Sequence, residues 1–217
     1  ANNSLYEETR ELIESAFPQA RIVTCDNHGF GHANNCGYLT TDAPFVLFLN
    51  PDTEIVAGTL ANLVAELERR PRVGLVGVKQ VTPDGELFPT IRRFPSVTRF
   101  WGDAVAAERL PVHTSWFGER VLDPRAYERE TECDWVSGSF MLVRREALDS
   151  AGIFDERFFL FAEEVDLCQR IKNCGWQVVH LPVMTIVHHA NKAGWSPRIW
   201  AQAAYSRRLY VTKHLAP

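Results

Sequence analysis

Four groups of residues carry side chains whose types and spacing suit chemistry. Asn50-Pro51-Asp52 follows the apolar run Phe45 to Leu49. A carboxylate there would hold a divalent cation that bridges a diphosphate, because ligands of open α/β sheets collect beyond the carboxyl ends of strands. A plain strand-end turn uses the same residue types. Glu163, Glu164 and Asp166 enter a helix after the aromatic run Phe158, Phe159 and Phe161. Acidic residues in a first turn complement the helix dipole, whereas two adjacent carboxylates among aromatics would lose water and rise toward a general base's pKa range. His188-His189 closes a late strand; with Asp52 beside it, one imidazole and oxygen ligands would suit Mn²⁺ or Mg²⁺. A structural hydrogen-bonding histidine is the plain alternative. Gly29 to Gly37 (GFGHANNCG) has glycines that let a ligand approach the backbone, but neither P-loop nor dinucleotide spacing.

Elements able to position these residues alternate along the chain. Leu5, Thr9, Leu12, Ile13 and Ala16 recur at helical spacing behind a Ser4/Glu7 capping box, and Pro18 ends that helix. Arg21 to Cys25 reads as a short strand and His32 to Leu39 as a short helix. Phe45 to Leu49 reads as a strand buried on both faces. Thr59 to Arg70 is an amphipathic helix, and Val73 to Val78 the next strand. The alternation predicts an α/β layered sheet in a single domain over residues 1–217. From about Ile91 to Glu132 the pattern dissolves into an irregular insertion over the sheet. Ser139 to Val143 is a strand, and Arg145 to Ala151 and Glu164 to Asn173 are helices. Trp176 to His180 and Met184 to His188 are strands, and Ser196-Pro197 opens a last helix, about 197–214.

Composition sets the class. The chain has 217 residues, 46% apolar and 23% charged, and a net charge of −4, which offers no broad nucleic-acid-binding surface. No apolar run is long enough to span a bilayer. The five cysteines are odd in number and lack a CxxC pair. Reduced, mostly buried thiols and cytoplasmic folding are therefore expected, rather than a disulfide framework or a cysteine zinc site.

Taken together and in order, these segments resemble glycosyltransferase family 2, especially its bacterial rhamnosyltransferase-like members. The resemblance rests on GFGHANNCG, LNPDT, DWVSGSFMLVRREAL, GIFDERFFLFAEEVDLCQRIKNCGW and TIVHH, and it spans nearly the whole chain. It implies a GT-A-type, Rossmann-like three-layer sandwich with a mostly parallel central sheet. It also implies that the family's first βαβ segment is missing ahead of Ala1.

The same resemblance implies roles. Asp52 and His188 would hold Mg²⁺ or Mn²⁺ at the diphosphate of a dTDP- or UDP-sugar, with Asn50 at the other end of the relaxed Asp-x-Asp motif. Glu164 would occupy the catalytic-base position, where the family normally has Asp; Glu163 or Asp166 could serve instead. Asn34 and Asn35 would lie near the donor nucleotide, and Asp134 and Trp135 near the transferred sugar and the acceptor. The expected reaction is inverting transfer of a sugar, rhamnose among the candidates, to a glycan or lipid-linked acceptor. Arg207, Arg208 and Lys213 on the last helix would then face the anionic inner surface of the membrane, or simply solvent. The rival expectation is a non-catalytic remnant that keeps the fold as a binding or assembly module.

Overall fold

The computed structural model describes residues 6–96, 98–99, 118–189 and 196–215. The Ser4 cap, the stretch 100–117 of the expected insertion and the residues just after His189 lie outside them. Helix α1 (Tyr6–Ala16) comes first, then α2 (Phe30–Tyr38), β1 (Phe45–Leu49), β2 (Thr53–Ala57), α3 (Leu60–Glu68) and β3 (Val73–Val81). Short pieces follow: β4 (Ile91–Arg92), a 3-10 turn (Pro124–Tyr127), β5 (Thr131–Glu132) and β6 (Trp135–Val136). Strand β7 (Phe140–Arg144), helices α4 (Arg145–Ala151) and α5 (Glu163–Asn173), strand β8 (Gln177–His188) and helix α6 (Pro197–His214) complete the order.

The main sheet runs β1-β7-β3-β8-β2, with β5 paired to β8. Side chains alternate across it with period two. Leu75, Met141, Val143 and Val178 enter one core with residues of α2, α4, α5 and α6. Val76, Phe140, Leu142 and Val179 enter a second core with Leu63 and Leu67 of α3. The result is the expected three-layer α/β sandwich.

Strand direction departs from the expected mostly parallel sheet. β3 and β8 form a parallel pair, while β1/β7, β3/β7 and β2/β8 are antiparallel. A parallel neighbour requires a crossover connection, usually a helix; β7 instead returns from the irregular stretch and enters between β1 and β3. It therefore separates two strands that run the same way, so β1, β3 and β8 still present their carboxyl ends to one edge of the molecule.

Two strand expectations also change. Arg21 to Cys25 forms no strand: its β-branched residues have no ladder to join. Phe45 to Leu49 is half-exposed, with only Phe48 fully buried, because among the described residues β1 lies at the sheet edge. Conversely, the two late strands merge into β8, whose register against β3 shifts between Val78 and Lys79.

Helix ends follow local chemistry. Thr59 Oγ1 accepts from Asn62 N at 3.2 Å and caps α3, and Ser196 Oγ accepts from Ile199 N at 3.3 Å at the start of α6. Tyr127 ties the irregular stretch to the core. Its hydroxyl donates to Val121 O at 2.7 Å and accepts from Ile91 N at 3.1 Å, and burial pushes its pKa up to about 12. No helix among the described residues is long and apolar enough to cross a membrane.

Candidate active site

The carboxyl ends of β1 and β8 bring two of the predicted residues, Asp52 and His188, side by side. Thr53 of β2 stands opposite His188 at the end of β8, which sets Asp52 beside that imidazole. Asp52 Oδ1 lies 3.5 Å from His188 Nε2, and Asp52 O accepts from His189 N at 2.8 Å. The edge of the Phe88 ring packs on His188 at a centroid distance of 5.0 Å. Burial lowers the His188 pKa against the pull of Asp52, so the ring is neutral near pH 7 and offers a lone pair. Its Nδ1 is buried without a hydrogen-bond partner. A neutral imidazole and a carboxylate at this separation fit one octahedral divalent ion, whose adjacent ligands lie about 3 Å apart when each is about 2.1 Å from the metal.

From Asn50 the path to the acidic pair is short. Asn50 N donates to Ser139 O at 3.0 Å, and Ser139 Oγ donates to Gln80 Oε1 at 2.8 Å at the end of β3. The neighbouring Gly138 has no side chain, and a Cβ there would touch the Glu164 side chain at 3.6 Å. The two chemical ends of the site are thus joined through the β7 entry.

Helix α5 begins with three carboxylates in different states. Glu163 is 4% exposed, and Oε2 atoms of both Glu163 and Glu164 are buried without hydrogen-bond partners. Burial, reinforced by the charge of Glu164, pushes Glu163 up to about 9. Burial also raises Glu164, with Arg92 opposing the rise. Two residues of left-handed backbone, Phe161 at φ 69° and Ala162 at φ 66°, swing the chain into this helix. Such conformations are costly for residues with a Cβ and gather at functional sites.

Asp166 differs from its neighbours. It is wholly buried and meets Arg170 at 2.8 Å, Lys213 at 2.6 Å and His214 at 2.6 Å. Burial works to raise its pKa, but Lys213, Arg170 and His214 outweigh it and the net shift is downward. A carboxylate so enclosed anchors α6 and lines neither of the cavities described below, so it is not placed to take a proton from a substrate, which corrects its candidacy as a base.

Two cavities flank these groups. One of about 400 Å³ is lined by Asn27, Gly29, Phe30, Asn34, Pro51 and Phe159 among others. Gly29 is required there: it sits at φ +108°, and a Cβ would fall 2.1 Å from Phe159 O. The larger cavity, about 740 Å³, is lined by Arg92, Trp135, Glu164, Trp200, Arg207 and Tyr210 among others. Trp135 Nε1 donates to Arg93 O at 2.9 Å, and the Arg92 guanidinium stacks 5.4 Å from the ring centroid. Nothing about Arg92 in the sequence distinguished it from the surrounding scattered charges.

The predicted polar residues divide accordingly. Asn34 lines the smaller cavity and donates to Phe30 O at 2.9 Å. Asn35 is buried away from it: Nδ2 donates to Phe154 O and Glu156 Oε1, both at 2.9 Å, and Oδ1 accepts from Phe154 N at 3.0 Å. With both ends of its amide engaged, Asn35 is a tie between α2 and the 154–156 loop, not a nucleotide contact. Asp134 Oδ2 accepts from Phe94 N at 2.8 Å and lies 3.8 Å from Arg99 Nη1, so it holds the strap after β4. On α6, Lys213 turns inward to Asp155 and Asp166, each at 2.6 Å, and Arg207 pairs with Glu119. The expected basic face of α6 toward a membrane is therefore reduced to the exposed Arg208.

The fold is of the GT-A type. It aligns with the solved structure of GalNAc-T7 with UDP, GalNAc and Mn²⁺ over 96% of this chain and 40% of that one, at a TM-score of 0.65 and 15% identity. The mannosyltransferase PcManGT of Pyrobaculum calidifontis, solved with GDP-Man and Mn²⁺, aligns over 99% of this chain and 52% of its own, at a TM-score of 0.57 and 14% identity. This chain thus spans about half or less of either structure.

Sequence narrows the class. Residues 1–152 match the model of glycosyl transferase family 2, and the chain belongs to that family of glycosyltransferases. It is 33% identical to N-acetylglucosaminyl-diphospho-decaprenol L-rhamnosyltransferase of Mycobacterium tuberculosis, over 97% of this chain and 72% of that protein. Rhamnosyltransferase WbbL of Escherichia coli strain K12 is 25% identical over 76% of this chain and 62% of its own length.

Proposed function

We propose that the chain transfers rhamnose from a nucleoside-diphosphate donor, with inversion, to the sugar of a lipid-diphosphate-linked acceptor. The observation that carries this reading is Glu164: a desolvated carboxylate with one oxygen unpartnered, lining the larger cavity beside the carboxyl ends of the sheet. The names of the M. tuberculosis and E. coli relatives support the sugar, and that of the former supports the acceptor.

In this reading Glu164 takes the proton of an acceptor hydroxyl. That oxygen forms a bond to the anomeric carbon while the bond from that carbon to the diphosphate oxygen breaks on the opposite face. The nucleoside diphosphate departs with the electron pair. Burial makes Glu164 a stronger base once ionised, and nearby Arg92 keeps ionisation within reach. Trp135, stiffened by Arg92 and by its bond to Arg93 O, forms part of the wall of the cavity where the sugar would sit. Asn34 and Gly29 border the smaller cavity, where the nucleotide would sit.

Asp52 and His188 would hold Mn²⁺ or Mg²⁺, which when bound supplies positive charge to the leaving diphosphate. The Mn²⁺ named with both structural neighbours supports that assignment. The test begins with calorimetric titration of dTDP and UDP, each with and without Mn²⁺. dTDP-rhamnose is then incubated with a lipid-diphosphate N-acetylglucosamine acceptor and the product anomer read by NMR. Metal-dependent dTDP binding and an inverted product are expected. A folded chain that binds neither nucleotide and transfers nothing would overturn the proposal and favour a non-catalytic module.

A further inference from the structure

Among the described residues, one cluster outside the proposed transfer site has the chemistry of a metal centre. One ligand atom each from Cys25, His32 and Cys36 lie within 4.8 Å of one another. His32 and Cys36 share one face of α2 through their i, i+4 spacing, and Cys36 Sγ is 3.5 Å from His32 Nε2. Cys25 arrives from the irregular segment before the helix. The cluster departs from the expectation of mostly buried thiols: Cys133 and Cys168 are buried, whereas Cys25 and Cys36 are partly accessible and Cys174 is exposed.

The other side of His32 is also arranged. Its Nδ1 lies 2.8 Å from Glu156 Oε2, and Glu156 Oε1 is held by Asn35 Nδ2 at 2.9 Å. A carboxylate on the outer ring nitrogen fixes the tautomer that leaves Nε2 as a bare lone pair, which is the usual support of a metal-bound histidine. Here that lone pair faces Cys36 Sγ, and Cys25 Sγ lies within 4.8 Å of the same sulfur.

We propose that Cys25, His32 and Cys36 form a Zn²⁺ site, with Glu156 as the outer partner of His32 and water in the fourth position. Thiolate and imidazole donors select zinc over the harder ions suited to Asp52 and His188. On binding, each thiol releases its proton to solvent and two Zn–S bonds form. The ion ties the unladdered segment around Cys25 to α2. Asn27, Gly29, Phe30 and Asn34, which border the smaller cavity, lie on the stretch so clamped.

The test uses the whole chain, purified under reductant and stripped of metal. Zn²⁺ is titrated against a chromophoric chelator, and Co²⁺ is added separately as a spectroscopic probe. One Zn²⁺ per chain and thiolate-to-cobalt charge-transfer bands are expected. Cys25→Ser and Cys36→Ser should each weaken zinc binding by roughly 100-fold or more, and Glu156→Gln by roughly 10- to 100-fold. Cys174→Ser and His188→Ala should leave zinc affinity unchanged. The proposal is overturned if the Cys25→Ser/Cys36→Ser double variant binds zinc as wild type does, or if His188→Ala abolishes binding. It is equally overturned if the wild-type cobalt spectrum lacks thiolate bands, or if the reduced preparation holds a Cys25–Cys36 disulfide instead of the ion.

Discussion

Within the first turn of α5, two kinds of carboxylate stand side by side. Glu163 is buried and Glu164 partly so, each with an oxygen left unpartnered, and both are pushed up. Asp166, two residues on, is buried more completely and shifts down, because Arg170, Lys213 and His214 surround it. Burial alone therefore does not mark a reactive group. What separates the two is whether the sequence brings cations to the same place. Arg170 of α5 and Lys213 of α6 supply them to Asp166, while Glu164 faces a cavity and the small Gly138.

The largest expected effect falls on the first kind. Glu164→Gln should lower the rate of transfer by roughly 10²- to 10⁴-fold, the range for a general base, with the donor KM nearly unchanged and no loss of stability. Transfer at the wild-type rate would remove Glu164 from the proposed base role and collapse the distinction. Asp166→Asn should do the reverse. Leaving buried cations short of their partner costs about 3–5 kcal/mol, read in denaturant unfolding, while the rate per folded molecule holds.

The pH axis sharpens the contrast. Glu163 has a folded pKa of about 9 against an ordinary 4.5. Its stability contribution is complete below 4.5 and is lost as pH rises toward 9. Glu163→Gln should therefore be more stable than wild type near pH 8, by about 2 kcal/mol or more, with no difference near pH 4. Asp166 is lowered from 3.8, so its contribution is present above that value and disappears only as pH falls below it. Urea midpoints measured from pH 3 to 9 check both limbs; a Glu163→Gln curve parallel to wild type would contradict the alkaline one. The smallest change is expected from Lys213→Met, about 1–3 kcal/mol, because Arg170 and His214 remain on Asp166. Unfolding more costly than that of Asp166→Asn would mean the ion pairs are not centred on Asp166.

Much of this architecture was legible beforehand. Helices α3, α4, α5 and α6 follow from periodicity and, for α6, from the Ser196 cap, which are local signals. Asp52 and His188 could be paired only through the resemblance, since 136 positions separate them in the chain; the β2/β8 ladder now gives that pairing a geometry. Local patterns failed where tertiary context decides. The segment Arg21 to Cys25 has strand residues but no partner, and Phe45 to Leu49 has core composition at a sheet edge. Asn35 and Asp166 carry the residue types of ligand contacts, yet their hydrogen bonds are spent on Phe154, Glu156, Arg170, Lys213 and His214. Cys25 and Cys36, lacking a CxxC spacing, meet at His32 only because the chain turns at Gly29.

The position of β7 also constrains the order in which this protein can be made. Strands β1 and β3 emerge first from a ribosome, but the strand that lies between them is encoded about sixty residues after β3 ends. Until Phe140 to Arg144 are released, the nascent chain holds two strand edges with no bridge between them, a state open to mispairing. Closing that long loop is slow compared with forming local helices. Pulse-labelled hydrogen exchange during refolding should therefore show β1 and β3 amides gaining protection together with those of β7, rather than before them. Both halves of the sheet's carboxyl edge would then become native in a single late step.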